Sequence, residues 1–454
     1  MAKSLSNTPQ STSLTTRAHT QLESLQRAHN LRTITDYAHH GIYLQKPKSP
    51  NPQTTPESTP QSPLLLNLTS NDYLGLAGAS HAILTHQNLN RPGNATPDDS
   101  ALTLAQRFWE FVRQKGIREQ DLRFGSGSSR LLSGGSPVWE AFEAHLQTCF
   151  AQKSALLFNS GYHLNCSCLA ALGRLESTLI LIDEYAHASM FDGLLLGKSL
   201  NPALRWKRFK HNDIAHLSAL LESSHKNFAH IIIVSEALFS MEGDLCDLAG
   251  LVALKRTYPN ALLYLDEAHS LGVVSELGLC ASMGYITEVD FLVLTFGKAL
   301  GSVGACMLCA RPLRELFVNL ARGLIYSTAL PPINIAFSYF AFTLLGELEP
   351  KREKIRALSQ HTRAQLESIA HKIRLPDNAE WQVLGDLQII SLVLGANERA
   401  IACERALESS GIFAKAIKSP TIPHGSARIR LCLHADLPNL APLFDALESY
   451  ANHL

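Results

Sequence analysis

Between residues 155 and 310, short runs that are apolar at every position alternate with segments of helical period. "ALLF" (155–158) precedes "NCSCLAALGRL", "TLILID" (178–183) precedes "SMFDGLLLG", and "HIIIVSEA" precedes "DLAGLVALKRTY". "ALLYLDEA" (261–268), "DFLVLTF" (290–296) and "GACMLCA" (304–310) complete the series. A strand with no polar face is covered on both sides, which is the situation in a mostly parallel sheet flanked by helices. The pattern predicts an α/β fold, and ligands of such sheets bind beyond the carboxyl ends of the strands.

After about residue 330 the pattern changes. Long helices lead to "DLQIISLVLG", a helix, "IFAKAIK", "ARIRLCLH" and a last helix, "NLAPLFDALESY", which predicts a smaller α+β C-terminal domain. A chain of 454 residues is too long for one core. The expected divisions are an N-terminal helix and linker over 1–78, a large domain over 79–325 and a small domain over 326–454. Residues 1–16 are too polar to order, "TQLESLQRAHNLRTI" reads as a helix, and "KPKSPNPQTTPESTPQSP" (46–63) and 90–100 read as exposed linker and loop.

Forty basic and forty acidic residues cancel, with no Lys/Arg block to attract nucleic acid or an anionic membrane. No apolar run is long enough to span a bilayer, and "MAKSLSNTPQSTSLTT" lacks the apolar centre of a signal peptide, so a cytoplasmic enzyme of small molecules is expected. The nine cysteines read as reduced core thiols; Cys306 and Cys309 form a C-x-x-C inside an apolar strand with no second pair, and no metal is expected. There is no G-x-x-x-x-G-K-[ST], G-x-S-x-G or H-E-x-x-H, and "GSGSSR" (125–130) lacks the third glycine and the preceding strand of a dinucleotide fingerprint.

Polar residues collect at the predicted strand ends. Gly161 and Tyr162 follow "LLFNS", His187 follows "LILIDEYA", Glu236 and Ser240 follow "IIIV", Asp266, Glu267 and His269 end "LLYLDEAHS", and Thr295 and Lys298 end "FLVLTFGK". A lysine at the end of a buried strand, among Gly297, Gly301 and Gly304, is out of place on solvation grounds. Its amine condenses with an aldehyde once its pKa is lowered. The aldehyde that also needs a carboxylate at a ring nitrogen is pyridoxal 5'-phosphate. Asp266 suits that nitrogen, His269 the phenolic oxygen, and the helix start at Gly161 and Tyr162 the phosphate. Taken singly, each residue is more often structural: Asp266 a cap or salt-bridge partner, His187 a satisfied core histidine, Ser240 a helix cap. The set at four strand ends is what favours the cofactor.

The stretches "SNDYLGL", "GSGSSRLLSG", "LFNSGY", "DEYAHAS", "FKHND", "SEALFSMEGD", "LDEAHSLGV", "TFGKALG", "IYSTALPP" and "SPTIPHGSARIRL" resemble the α-oxoamine synthases. The resemblance runs from about residue 22 to the C-terminus and implies a fold-type I transferase dependent on pyridoxal 5'-phosphate. Such an enzyme has a large domain with a mostly parallel, seven-stranded-type sheet and a smaller α+β C-terminal domain. Members are acyltransferases that join an amino acid to an acyl thioester and lose carbon dioxide. "SRLLSGGS", "FSMEGD" and "LIYSTALPP" are most similar to the biotin-biosynthesis branch, which makes 8-amino-7-oxononanoate from L-alanine and a pimeloyl thioester. Glycine C-acetyltransferase or another branch is the alternative, and a catalytically idle partner subunit is disfavoured by the intact Lys298.

The resemblance assigns Lys298 as the lysine that carries the cofactor and Asp266 as the partner of its ring nitrogen. Ser240 and His269 fall at the phenolic oxygen and His187 over the ring. Gly161, Tyr162 and Thr295 fall near the phosphate. Arg430 would grip the amino-acid carboxylate, with Arg428 as helper, and Thr421 and Arg32 match substrate-contacting positions. Ser327 and Thr328 would reach the phosphate of a neighbouring protomer, implying a homodimer with shared sites. Trp139, Gly135 and Cys280 depart from the residues usual in relatives, and the first two are expected to shape the acyl pocket. Coenzyme A and acyl carrier protein both stay open as the thiol carrier.

Overall fold

The computed structural model describes residues 13–28, 30–47, 63–78, 102–373 and 380–453. Most of the 46–63 linker and the 90–100 loop lie outside the described residues. The chain divides into two compact units, Met1–Leu64 and Leu65–Leu454.

The first unit holds α1 (Leu14–Arg27) and a hairpin of β1 (Ala38–His40) and β2 (Tyr43–Gln45). The helix starts earlier than its apolar spacing suggests, because Ser13 caps it by accepting a hydrogen bond from the Thr16 N–H at 3.2 Å. It also ends at Arg27, short of the expected Ile34.

In the second unit β3 (Leu64–Asn67), α2 (Leu104–Gln114) and α3 (Pro137–Cys149) lead into the large sheet. There follow β4 (Ser154–Phe158), α4 (Gly161–Leu172), β5 (Thr178–Asp183), α5 (Ala188–Leu200), β6 (Arg205–Phe209), α6 (Ile214–Ser224) and β7 (His230–Glu236). Next come α7 (Leu248–Thr257), β8 (Ala261–Asp266), α8 (Leu279–Ser282), β9 (Phe291–Thr295) and β10 (Ala305–Cys309). The sheet has seven strands in the order β4-β10-β9-β8-β7-β5-β6. The others are parallel and β10 is antiparallel to both neighbours. Leu263 and Leu265 of β8 pack into one core cluster and Tyr264 into another on the opposite face. That two-sided burial is why these strands read as unbroken apolar runs.

The strand that the apolar pattern misses is β6, "RWKRF". It is the edge strand, with Arg205, Lys207 and Arg208 exposed. Charged side chains on an edge block further pairing, at the expense of the apolar signal.

Then come α9 (Arg311–Leu320), α10 (Arg322–Ile325), α11 (Pro332–Leu344) and α12 (Glu349–Lys372). The C-terminal α+β part adds β11 (Gln382–Leu384), β12 (Ile389–Gly395), α13 (Asn397–Ser409), β13 (Ile412–Phe413), β14 (Lys415–Ile417), β15 (Ala427–Cys432) and α14 (Ala441–Ala451). Its sheet is antiparallel, in the order β11-β12-β15-β14. "IFAKAIK" is therefore not one strand: β13 pairs in parallel with β3, and after Ala414 the chain turns to pair β14 with β15. Trp139, expected near the acyl pocket, is buried in the core with the Arg130 guanidinium 4.8 Å above its ring.

One ionic cluster makes a pH prediction. His211 Nδ1 lies 3.1 Å from Asp183 Oδ1, and its Nε2 lies 3.0 Å from Asp244 Oδ2. Burial alone would lower its pKa, but the bonds to Asp183 and Asp244 outweigh it and push the imidazole up to about 10. An unfolded histidine titrates near about 6.5. This contribution is thus complete below that pH and is lost as pH rises towards about 10. Urea unfolding across that range should show wild type losing about 2–4 kcal/mol relative to His211→Gln. Parallel pH profiles for the two proteins would refute the assignment.

Candidate active site

Six strands end on one edge of the sheet, and a cavity of about 290 Å³ opens at the ends of five of them. Gly161, Tyr162, His187, Asp266, Thr295 and Lys298 all line it, drawn from the ends of β4, β5, β8 and β9. Glu236, at the end of β7, forms part of the wall.

The glycines after β9 make the lysine turn. The Gly301 N–H donates to the Lys298 carbonyl at 2.8 Å, and the Ser302 N–H to the Phe296 carbonyl at 2.9 Å. Gly301 has φ +58, and a Cβ there would meet the backbone nitrogen of Ala77 at 2.3 Å. Only glycine fits both demands. Lys298 faces the cavity with part of its side chain, while the surrounding protein takes its amine out of bulk water. Burial lowers its pKa; Asp266 and Glu236 oppose that, and Arg430 adds to it.

Asp266 is 4% exposed, and both of its oxygens are held. Oδ1 accepts the Ala268 N–H at 2.9 Å and Oδ2 accepts Asn165 Nδ2 at 2.9 Å. Its outer face remains on the cavity. His187 is exposed there, with its pKa lowered by burial against the cavity wall, a shift that Asp266 opposes and Lys298 reinforces. At Gly161 a Cβ would lie 2.6 Å from Thr295 Cγ2, so the start of α4 approaches β9 closely. Ser160 caps α4 by accepting from the His163 N–H at 3.2 Å. The N–H groups of Gly161 and Tyr162, in the first turn, have no acceptor within the helix and form its positive end.

Other predicted residues lie off the wall. His269 is buried behind Asp266, and its Nδ1 is 2.7 Å from the Tyr73 hydroxyl. Arg430, on β15, donates from Nε to the Ser240 carbonyl at 2.6 Å and from Nη2 to Asn71 Oδ1 at 3.4 Å. Asn71 itself lines the cavity, which sets Arg430 one layer behind it. Arg428 pairs with buried Glu242 at 3.1 Å. Thr421 lines a separate hollow of about 570 Å³, with Tyr185, Phe191 and Arg208. Ser327 Oγ accepts Asn159 Nδ2 at 2.9 Å, and the Thr328 carbonyl accepts it at 2.7 Å. Arg32 is exposed in the N-terminal unit, between α1 and β1.

Sequence reasoning assigned no role to Asn71, Tyr73, Asn165, Ser189 or Glu236. Asn71 and Tyr73 sit inside the quoted "SNDYLGL", and Glu236 at a strand end, so a signal existed for these. Ser189 likewise closes the quoted "DEYAHAS". Asn165 carries no such signal, being an ordinary polar residue on a helix.

A family model described as aminotransferase class I and II matches residues 63–447. The chain belongs to that family. A protein of Pasteurella multocida (strain Pm70) named "Putative 8-amino-7-oxononanoate synthase" is 37% identical over 419 residues, 92% of this chain and 94% of its own. One of the same name from Glaesserella parasuis serovar 5 (strain SH0165) is 41% identical over 375 residues, 82% and 87% of the two chains. Among solved structures, a serine palmitoyltransferase from S. paucimobilis with bound PLP and myriocin superposes with TM-score 0.75 at 19% identity, covering 97% of this chain and 99% of that one. An 8-amino-7-oxononanoate synthase from Francisella tularensis gives 0.61 at 22% identity, covering 86% and 96%. These structural likenesses carry the fold: a fold-type I transferase with a large, mostly parallel sheet and a smaller C-terminal part.

The enzyme is of the α-oxoamine synthase type, and its cofactor is pyridoxal 5'-phosphate. The residues present fit that group. Glu236 is 2% exposed and its Oε1 has no hydrogen-bond partner, although it adjoins the cavity. Burial, then the nearby Asp266, pushes its carboxyl well above the ordinary range. A buried polar atom left unpaired at a cavity wall leaves a hydrogen bond for a polar ligand or an ordered water to make. Among the described residues no group of His, Cys, Asp and Glu could hold a metal ion, and no helix is long and apolar enough to cross a membrane.

Proposed function

We propose that the enzyme joins L-alanine to a pimeloyl thioester, with loss of carbon dioxide, to give 8-amino-7-oxononanoate for biotin synthesis. The reading is carried by the Lys298 amine, lowered in pKa by burial, beside Asp266 on a cavity edged by a helix N-terminus. The relatives' shared name and the stretch "SRLLSGGS" support the alanine-using branch.

The cofactor, when bound, supplies an electron sink for the substrate α-carbon. Lys298 would hold its aldehyde, Asp266 would keep its ring nitrogen protonated, and the Gly161 and Tyr162 N–H groups would take its phosphate. The Lys298 amine, when free, would remove the α-proton as general base. The α-carbon attacks the thioester carbonyl and the thiol leaves. The resulting β-keto acid loses carbon dioxide, and a proton is returned to the α-carbon. Asn71 would face the amino-acid carboxylate with Arg430 behind it, and His187 would cover the ring. The purified enzyme with cofactor should be given alanine, glycine or serine with pimeloyl-CoA, pimeloyl acyl carrier protein or acetyl-CoA, and the products weighed by mass spectrometry. Alanine with a pimeloyl thioester should turn over fastest. Faster reaction of glycine with acetyl-CoA would move the enzyme to another branch.

The reading includes a twofold dimer in which Ser327 and Thr328 serve the neighbouring protomer's site. Two facts support it. Phe124, Leu132 and Tyr326 are 90%, 81% and 72% exposed, apolar side chains that a monomer would leave in water. The segments carrying them are joined, since Ser126 Oγ donates to the Ala329 carbonyl at 2.6 Å and the Ala329 N–H to the Ser128 carbonyl at 3.0 Å. Mixed dimers of Lys298→Ala and Thr328→Ala chains should regain activity that each homodimer lacks, because one site of each hybrid is then intact. Hybrids that form without recovery would place Thr328 in its own chain's site.

A further inference from the structure

A hydrogen-bond chain joins Asp266 to His187, the two side chains that the proposed function sets at the cofactor ring, and its polarity can be worked out by elimination. Asn165, 2% exposed on α4, lies 2.9 Å from Asp266 Oδ2. A carboxylate only accepts, so the Asn165 nitrogen must face Asp266 and its oxygen must face the other way. That oxygen is 2.6 Å from the Tyr264 hydroxyl, which therefore donates. The same Asn165 nitrogen is 3.1 Å from Ser189 Oγ, so the serine oxygen accepts and its own proton is free. Ser189 Oγ is 2.8 Å from His187 Nδ1, and the Ser189 backbone N–H also points at that nitrogen, at 3.2 Å. Nδ1 thus receives two donors and carries no proton of its own.

We propose that Asn165 and Ser189 are positioning residues that lock His187 as the Nε2–H tautomer, a hydrogen-bond donor and not a base, while holding the Asp266 carboxylate in place. The direction of the His187 pKa agrees: the ring is kept neutral by burial. The consequence for the chemistry is a division of labour. His187 has no lone pair free at Nδ1 and none at Nε2, so proton removal falls to Lys298, and His187 can only donate to an oxygen of the substrate. The inference rests on the cofactor assignment and not on the choice of amino acid or thioester.

The test uses protein labelled with ¹⁵N-histidine, with the His187 signals assigned by their loss in His187→Gln. In wild type, long-range ¹H–¹⁵N correlations should give the Nε2–H pattern, with Nδ1 at the position of a hydrogen-bonded acceptor. In Ser189→Ala the Nδ1 resonance should move toward that of an unbonded ring nitrogen, and Ser189→Thr should restore it. Asn165→Leu should produce part of the same shift and weaken cofactor binding by about 10-fold or more, since it removes a bond to a charged group. If that variant fails to fold, the serine pair alone decides. An Nδ1–H pattern in wild type, or an Nδ1 resonance unmoved in Ser189→Ala, would overturn the proposal whichever substrate the enzyme uses.

Discussion

Replacing Lys298 with alanine is expected to cost at least about 10²- to 10⁴-fold in turnover, the range that a positioned general base contributes. The loss should exceed that of any other single change in the cavity, because on the proposed reading the same amine would both anchor the cofactor and handle the α-proton. The variant should still fold: Lys298 lies in a turn whose hydrogen bonds run between backbone groups, from Gly301 to Lys298 and from Ser302 to Phe296. The direct check is chemical. Wild-type protein loaded with cofactor should be yellow, and borohydride should fix the group on the peptide that carries Lys298. Label on another lysine, or a colourless protein that takes up no cofactor, would remove the basis of the site.

Asp266→Asn is expected to keep the cofactor bound but to lose about 10²- to 10³-fold in turnover. Breaking one side of a buried ion pair costs about 3–5 kcal/mol, and each 1.36 kcal/mol is tenfold in rate. The structure adds a reason why the amide fares badly. Both Asp266 oxygens already accept a hydrogen bond, one from the Ala268 N–H and one from Asn165 Nδ2. An asparagine must turn its NH₂ toward one of these donors, leaving two donors opposed in a buried site. Cofactor affinity and turnover should therefore fall to different degrees, affinity modestly and turnover strongly. Near-normal turnover in this variant would show that another group holds the ring nitrogen.

Much of the cavity wall was legible before any coordinates. His187, Asp266, Thr295 and Lys298 are chemically unusual punctuation at the ends of apolar runs, and in a parallel sheet all carboxyl ends share one edge. The part that escaped lies where the local signal is weak. β6 carries arginine and lysine because it is an edge, so its composition reads as loop. "IFAKAIK" has the look of one strand, and nothing local reveals that Phe413 pairs with β3 while Lys415 pairs with β15. Trp139 drew notice because it departs from the residue usual in relatives, and its burial in the core beneath Arg130 is a contact that the sequence does not announce.

The sequence by itself determined the strand order of chemistry: which residues stand at strand ends, and hence that a lysine, a carboxylate and an imidazole meet at one edge. It could do so because two-sided burial writes itself into every position of a strand, and strand ends inherit their location from that. The tertiary structure alone decided how those groups are held. Asn165 and Asp266 are 101 positions apart, and Tyr73 and His269 are 196 apart, yet each pair is joined by one hydrogen bond inside the protein. A mid-helix asparagine or a loop tyrosine has no periodicity to mark its role. Its partner is chosen only when helices and sheet pack, since a buried donor must then find an acceptor wherever the fold has brought one.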